Sequence, residues 1–368
     1  MKSIPFVDLK LQYQNIKKDI DQTIKRVLDN TSFIGGLDVE KFANSLAALM
    51  NVKHALPVAN GTDAIYIALK MLGIGEGDEV ITTAHSWIST SETISQAGAK
   101  PIFVDTNDFF CIDHKDIESK ITKNTKAILP VHLYGNSCNM TEIKKIATKH
   151  NLFIIEDCAQ AILTKWKGKL VGTFGNAGTI SFFPGKNLGA YGDAGGIITN
   201  QTSLHKKMKM FANHGGLVKH QHKIEGINSR MDGLQAAILG VKIQHIEQWI
   251  DQRRLAADMY FHYLADIQEL ELPQIEENAF HSFHLFVVEA KNRNDLAAYL
   301  HSKKISTGIH YPKPLPALDC YRDRKLDLTE FPRAVSSAKK ILSLPMFPEL
   351  TEEQVKYVSS QIKAHYSA

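Results

Sequence analysis

The sequence predicts an α/β protein in which a mostly parallel sheet carries helices on both faces and a smaller α/β unit follows. Three observations support this. From about residue 51 to 200, short β-branched runs alternate with amphipathic stretches, as in successive strand–helix–strand units. Residues 230–264 then read as one long helix, with Leu234, Ala237, Ile238 and Val241 at helical spacing. Beyond residue 270 the pattern restarts, with a strand-like run at 282–290, a helix at 293–302 and a last helix at 351–365.

In chain order, a helix over 11–29 stands apart from the sheet. Strands are expected at 79–83, 101–105, 127–132, 152–156, 179–183 and 196–199, and helices at 62–72, 86–96 and 141–149. With 368 residues the chain is long enough for two domains, divided near residue 245: 1–245 large, 246–368 small. Hydrophobic residues make up 44% and charged ones 22%, as in an ordinary globular protein. Lys and Arg number 43 against 39 Asp and Glu, a net charge of +4 without long like-charge runs. That argues against nucleic acid or a membrane surface as partner and tolerates an anionic substrate. No apolar run approaches the roughly 18 residues of a membrane span, and no signal-peptide stretch opens the chain. The four cysteines form no CxxC pair, so neither a zinc site nor a disulfide framework is expected, and a reducing cytoplasm is. His214, His220 and His222 have no spacing that brings three ligands together, so no metal is expected.

In an α/β sheet the chemistry belongs just beyond the carboxyl ends of the strands. The segment LFIIEDCAQ (152–160) is an apolar strand ending in two carboxylates. A buried Asp157 stays ionised only beside a cation or strong donors, and a protonated pyridine nitrogen is one such partner. Alone, a strand-end Asp more often caps the next helix. The glycine-rich loop SFFPGKNLGAYGDAGG (181–196) places Lys186 29 residues after Asp157. A desolvated lysine amine loses its proton readily and condenses with aldehydes; alone, it reads more readily as a solvated surface lysine on a loop. In ANGTDA (59–64), the backbone N–H groups of Gly61, Thr62 and Asp63 open a helix and offer an anion site, although the same residues are ordinary turn-and-cap chemistry. Trp87 could cover a flat ring or simply fill the core. Asn228 and Arg230 precede the long helix and on their own read as a cap and a surface charge. There is no GxxxxGK[ST] loop and no GxGxxG, so P-loop and Rossmann readings have no support.

The ordered set IPFVDLKLQY, NGTDAIYIAL, GDEVITTAHSWISTSETI, GAKPIFVD, EDCAQA, SFFPGKNLGAYGDAGG, GINSRMDGLQAAIL and IHYPKPL resembles the DegT/DnrJ/EryC1/StrS family of pyridoxal-phosphate-dependent sugar aminotransferases. The resemblance implies the type I (aspartate aminotransferase) fold with a seven-stranded sheet, and pyridoxal phosphate as cofactor. It implies that Lys186 carries the cofactor and moves protons, that Asp157 pairs with the pyridine nitrogen, and that Gln160 lies near the ring oxygen. Trp87 would cover the ring. Thr62, Asp63 and Ser181 would hold the phosphate, with Asn228 arriving from a second subunit, which makes the enzyme a homodimer with shared sites. Relatives with His at the lysine position remove a hydroxyl instead, so Lys186 favours amino transfer over the sugar-dehydratase alternative. Relatives acting at sugar C-4 tend to read TGEGG and VHYIP. This chain's AYGDAGG and IHYPKPL look like the C-3 group, with Tyr191, Arg230, His310 and Tyr311 near the sugar. The implied substrates are a dTDP- or UDP-linked 3-keto hexose and glutamate; a C-4 keto sugar is the alternative, and an intact Lys186, Asp157 and Trp87 set would be unexpected in a non-catalytic regulator. Ala194 and Cys158 depart from the common Gly and Ala.

Overall fold

A computed structural model describes residues 3–367. Seven strands form the main sheet: β1 (His54–Val58), β2 (Glu79–Thr83), β3 (Lys100–Val104), β4 (Thr125–Leu129), β5 (Phe153–Asp157), β6 (Ala177–Ser181) and β7 (Gly195–Thr199), in spatial order β1-β7-β6-β5-β4-β2-β3. Pairs from β3 through β6 are parallel, while β7 runs antiparallel to both β6 and β1, so one strand of seven is reversed. Side chains alternate across the sheet. Ile81, Ile128 and Ile154 enter one apolar layer, with α2 (Lys17–Asp29), α3 (Leu37–Leu49), the Met140–Lys149 helix and the Gly233–Lys242 helix. Val80, Ala127, Leu129 and Ile155 enter the opposite layer, under α4 (Gly61–Met71) and the Thr202–Ala212 helix.

The expected N-terminal helix is two: α1 (Leu9–Asn15) and α2 meet at Ile16, whose N–H closes a tight turn onto the Tyr13 carbonyl at 3.2 Å and whose side chain is buried. The expected helix over 230–264 also breaks. Residues 230–232 are not helical, Asp232 being extended; Gly233 N–H bonds the Phe33 carbonyl at 2.7 Å, and a 3₁₀ turn at Ile243–His245 separates Gly233–Lys242 from Ile246–Leu264. Ile243 and Ile246, on either side of that turn, are both buried. We place the proposed domain division at this turn. Beyond it, Leu270–Glu271, Phe286–Ala290 and Ile341–Leu344 form a three-stranded antiparallel sheet. It shares a separate apolar cluster with the Ile246–Leu264, Arg293–Ser302 and Glu352–Ser367 helices. Ile4 joins that cluster, so the N-terminal segment belongs to both units.

The strand expected over 282–290 is confined to Phe286–Ala290. Upstream the backbone turns to the main sheet instead: Ser282 N–H bonds the Gly135 carbonyl (2.9 Å) and Leu285 N–H the Tyr134 carbonyl (3.2 Å). This detour carries His284 to the carboxyl edge of the large sheet. No helix among the described residues is long and apolar enough to cross a membrane.

Candidate active site

The strand ends are level. Asp157, last in β5, lies opposite Thr179 of β6, and Ser181, last in β6, lies opposite Gly195, which also pairs with Val58 at the end of β1. After β1, Asn60 caps α4 by accepting the Asp63 N–H at 2.8 Å. Gly61 is required there, since a Cβ would sit 2.8 Å from that of Ser181. Its absence lets the helix N-terminus, with its exposed N–H groups and positive dipole end, close on the Ser181 hydroxyl. The Thr62 hydroxyl meets that of Ser89 at 2.7 Å.

Lys186 sits on the loop leaving β6, which doubles back so tightly that a Cβ on Gly189 would lie 2.2 Å from the Pro184 carbonyl oxygen. The loop is fastened on three sides. Lys242 Nζ donates to the Gly189 carbonyl (2.6 Å), Tyr191 N–H donates to Gln235 Oε1 (2.9 Å), and Asn187 Nδ2 donates to the Ser282 carbonyl (3.2 Å).

A cavity of about 530 Å³ opens above these strand ends. Gly61, Thr62, Trp87, Asp157, Gln160, Ser181, Lys186, His310 and Tyr311 all line it. Asp157 is buried and, among the described residues, accepts only from Thr90 Oγ1 (3.1 Å) and Ala159 N–H (3.0 Å). Desolvation therefore raises its pKa. Burial pushes the Lys186 ammonium down to about 8, against the opposing pull of Asp157. Gln160 is held from both ends, accepting Tyr134 N–H at 2.7 Å and donating to Tyr311 Oη at 3.1 Å. Trp87, 56% exposed, leans on the Tyr311 ring with centroids 5.5 Å apart.

Three expected residues, Asp63, Tyr191 and Arg230, lie elsewhere, as does Asn228, which was expected to serve a second subunit's site. The Asp63 N–H is taken by Asn60, and its side chain does not line the cavity. Tyr191 packs its ring under Lys242 Nζ, 4.5 Å away. Asn228 and Arg230 are exposed and pair with each other at 3.0 Å. Sequence reasoning missed Phe6, Thr90, Phe183, Asp193 and His284 in the cavity wall. The hydroxyl-rich SWISTSET segment was a readable sign of Thr90: Ser86 Oγ bonds Thr90 Oγ1 (2.8 Å), which bonds Asp157.

The two adjacent carboxylates of β5 point to opposite faces. Glu156 accepts N–H groups from Gly172 (2.7 Å), Phe174 (2.7 Å) and Gly175 (2.8 Å), and pairs at 3.2 Å with His132 Nε2, both side chains of that pair being fully buried. His132 Nδ1 accepts Cys138 N–H, so Nε2 carries the proton given to Glu156. Glu156→Gln sets an amide N–H against donors, and we expect it to destabilise the fold by about 3 kcal/mol, read as a lower Tm.

The donor set fits pyridoxal phosphate: an amine that is readily deprotonated, a buried carboxylate short of donors that would welcome a ring N–H, and a glycine-opened helix N-terminus for the phosphate. A family model described as the DegT/DnrJ/EryC1/StrS aminotransferase family matches residues 14–363. The chain belongs to this family. Among DegT/DnrJ/EryC1/StrS proteins it is 44% identical, over 99% of both chains, to a Geobacillus stearothermophilus protein named pleiotropic regulatory protein. It is 40% identical to an Acidithiobacillus ferrooxidans UDP-N-acetyl-3-dehydro-α-D-glucosamine 3-aminotransferase, covering 98% of this chain and 97% of that one. The crystal structure of Streptomyces venezuelae DesV in complex with a ketimine intermediate superposes with a TM-score of 0.97 at 35% identity, covering 100% of both chains. The protein is a pyridoxal-phosphate-dependent aminotransferase with the type I fold.

The lowered Lys186 pKa sets a pH dependence. The neutral amine is the form that captures the cofactor aldehyde, and with a pKa near 8 roughly a tenth is neutral at pH 7. The rate at which apoprotein takes up pyridoxal phosphate should therefore rise with pH and level off above about 8. An unshifted lysine would keep rising toward 10.5. Stopped-flow absorbance separates the two.

Proposed function

We propose that this enzyme moves an amino group from glutamate to the C-3 carbonyl of a dTDP- or UDP-linked keto hexose, and that it works in the cytoplasm as a homodimer with shared active sites. The observation that carries the reading is the convergence of Lys186, Asp157 and the His310–Tyr311 segment on one cavity. The C-3 preference is supported by the AYGDAGG and IHYPKPL segments and by the 3-keto sugar named for the Acidithiobacillus relative.

Bound pyridoxal phosphate supplies an electron sink for the carbon that loses its proton. Thr62, Ser181 and the α4 N-terminus hold the phosphate end. Asp157 keeps a proton on the ring nitrogen, and Thr90 and the Ala159 N–H keep Asp157 in place. Gln160 presents an amide N–H toward the ring oxygen, and Trp87 covers the ring and excludes water. With the cofactor bound, Lys186 Nζ would carry the proton away from the donor's α-carbon, and in the sugar half-reaction it would supply a proton to the sugar carbon in return.

The dimer is supported by what the cavity lacks and what the surface exposes. Asn228 and Arg230 stay outside their own chain's cavity, while Phe33, Ile34, Trp87 and Phe183 are about half exposed. Large apolar side chains in that number fit a partner surface. Four free cysteines, three of them buried, fit a reducing compartment.

The test is product analysis. Enzyme, pyridoxal phosphate and glutamate are incubated with 3-keto and 4-keto sugars on dTDP or UDP, and mass spectrometry follows the amino sugar and 2-oxoglutarate. Amination of a 3-keto sugar supports the reading, and amination of 4-keto sugars alone overturns it. The regulatory name of one relative raises a non-catalytic reading, which release of 2-oxoglutarate would exclude.

A further inference from the structure

Three neighbouring strand ends grip one segment of the chain. β5, β4 and β2 lie side by side in the main sheet, and Gln160, Tyr134 and His85 follow them in turn. The segment is His310–Tyr311, which arrives from the smaller sheet, where Gly308 N–H bonds the Ser343 carbonyl at 3.0 Å. Tyr311 N–H donates to His85 Nε2 at 3.3 Å, and the Tyr134 hydroxyl, 3.1 Å from that nitrogen, donates to the His310 carbonyl. One peptide group is thus held at both its N–H and its C=O. Tyr311 Oη accepts from Gln160 Nε2 at 3.1 Å, and Gln160 Oε1 accepts Tyr134 N–H at 2.7 Å, which closes the circuit. His85 is fully buried, and burial lowers its pKa to about 4, so the ring is neutral. A backbone N–H can only donate, so Nε2 is its acceptor and the ring proton is assigned to Nδ1. Nδ1 has no hydrogen-bond partner among the described residues. A buried polar atom without a partner is a cost to the fold, one that Leu at this position would not carry. What His85 supplies and Leu cannot is Nε2.

We propose that His85 is a positioning residue for Gln160, acting through Tyr311: it fixes the 310–311 peptide so that Tyr311 Oη takes one Gln160 N–H and the second is left for the cofactor ring oxygen. This rests on the proposed place of Gln160 beside that oxygen. Held by Tyr134 N–H alone, the Nε2 end of the amide would swing about that one bond. Held at both ends, it keeps one orientation. His85 and Tyr134 do not themselves line the cavity, so their effect on the cofactor runs through the residues they hold. A donor shares the negative charge of the ring oxygen and weakens its hold on the proton of the lysine–cofactor link, so losing the donor raises the pH at which that proton leaves. Asp157, Lys186, Asp193, His284 and His310 also line the cavity and stay in place in the variants below. The Tyr311 pKa is raised, chiefly by burial, so its hydroxyl stays protonated.

The test uses neither amino donor nor sugar, so its outcome is independent of the proposed substrates. In apoprotein, hydrogen–deuterium exchange is followed in a peptide spanning 307–313. His85→Leu should speed exchange there about tenfold or more, with the main-sheet strands unchanged. His85→Gln, which carries an amide to the Nε2 position, should restore it. In the protein loaded with pyridoxal phosphate, the long-wavelength band of the lysine-linked cofactor is titrated with pH. Gln160→Ala should raise its midpoint by about one unit and His85→Leu by roughly half a unit, while His85→Gln keeps the parent value. The double variant of His85→Leu and Gln160→Ala should stop at the Gln160→Ala midpoint, because the path runs through Gln160. A Gln160→Ala variant with the parent midpoint overturns the place of Gln160 beneath the proposal. A midpoint that moves in Gln160→Ala but not in His85→Leu, shifts that add in the double variant, or unchanged exchange in His85→Leu overturns the proposal itself.

Discussion

Lys186→Ala lowers turnover by at least about 10⁴-fold, because one side chain serves as both the covalent attachment point and the proton carrier. The loss is not an unfolding effect. Lys186 sits on a loop whose anchors belong to other residues, Lys242 on Gly189, Gln235 on Tyr191 and Asn187 on Ser282. Removing a partly desolvated ammonium also relieves a burial cost rather than adding one. The variant should therefore keep its Tm and still retain pyridoxal phosphate through Thr62, Ser181 and Asp157. Borohydride reduction followed by peptide mapping separates attachment from mere binding: the parent protein gives a Lys186 adduct, and the Ala variant gives no adduct at a comparable cofactor content. An adduct on another lysine with activity retained would remove Lys186 from its role.

Asp157→Asn should cost roughly 10²–10³ in kcat, the range for deleting one preorganised charge at a reacting centre. The amide cannot keep the ring nitrogen protonated, but it fits the same space: its oxygen can still accept from the Ala159 N–H while its NH₂ donates to the Thr90 hydroxyl. Apoprotein stability is expected to move the opposite way. Burial raises the Asp157 pKa, so at neutral pH the ionised carboxylate is a cost to the fold, one that builds up as pH climbs from the ordinary carboxylate value through the raised folded-state value and is constant above it. A neutral Asn removes that cost, so Tm should hold or rise at pH 7 while activity collapses, the usual trade at a functional charge. A Tm drop equal to the activity loss would make Asp157 a structural residue.

The parts of this site that were legible in the sequence are those where residue type and chain position coincide. A lysine on a glycine-rich loop and an aspartate closing an apolar strand keep their meaning in one dimension, because the strand ends line up in the fold. Asp157 and Glu156 are neighbours of one type, and only the strand's two-residue alternation, read with the 172–175 loop in place, sends one to the cavity and the other to three backbone N–H groups. The strand ahead of ANGTDA was legible from its place before that helix but its bounds were not, since Pro57 lies inside β1; β1 is an edge strand of the sheet, where a proline is tolerated. His284 was read as part of a strand because Ser282–Ala290 is uniformly apolar enough, and the backbone bonds that pull 282–285 aside come from Gly135 and Tyr134, about 150 residues earlier. The long helix over 230–264 lacks any Gly or Pro at its 3₁₀ turn, so the break at Ile243–His245 carries no local sign in the sequence.

The most direct measurement is the visible absorption spectrum of the pyridoxal-phosphate-loaded protein, first with glutamate and then with a nucleotide-linked 3-keto sugar. The long-wavelength band of the lysine-linked cofactor should give way to the shorter-wavelength band of its amine form on adding glutamate, and return when the keto sugar arrives. A protein that shows no such band after pyridoxal phosphate is supplied, or whose band neither amino donors nor keto sugars change, would contradict the assignment of Lys186 and Asp157 as the centre of an amino-transfer site.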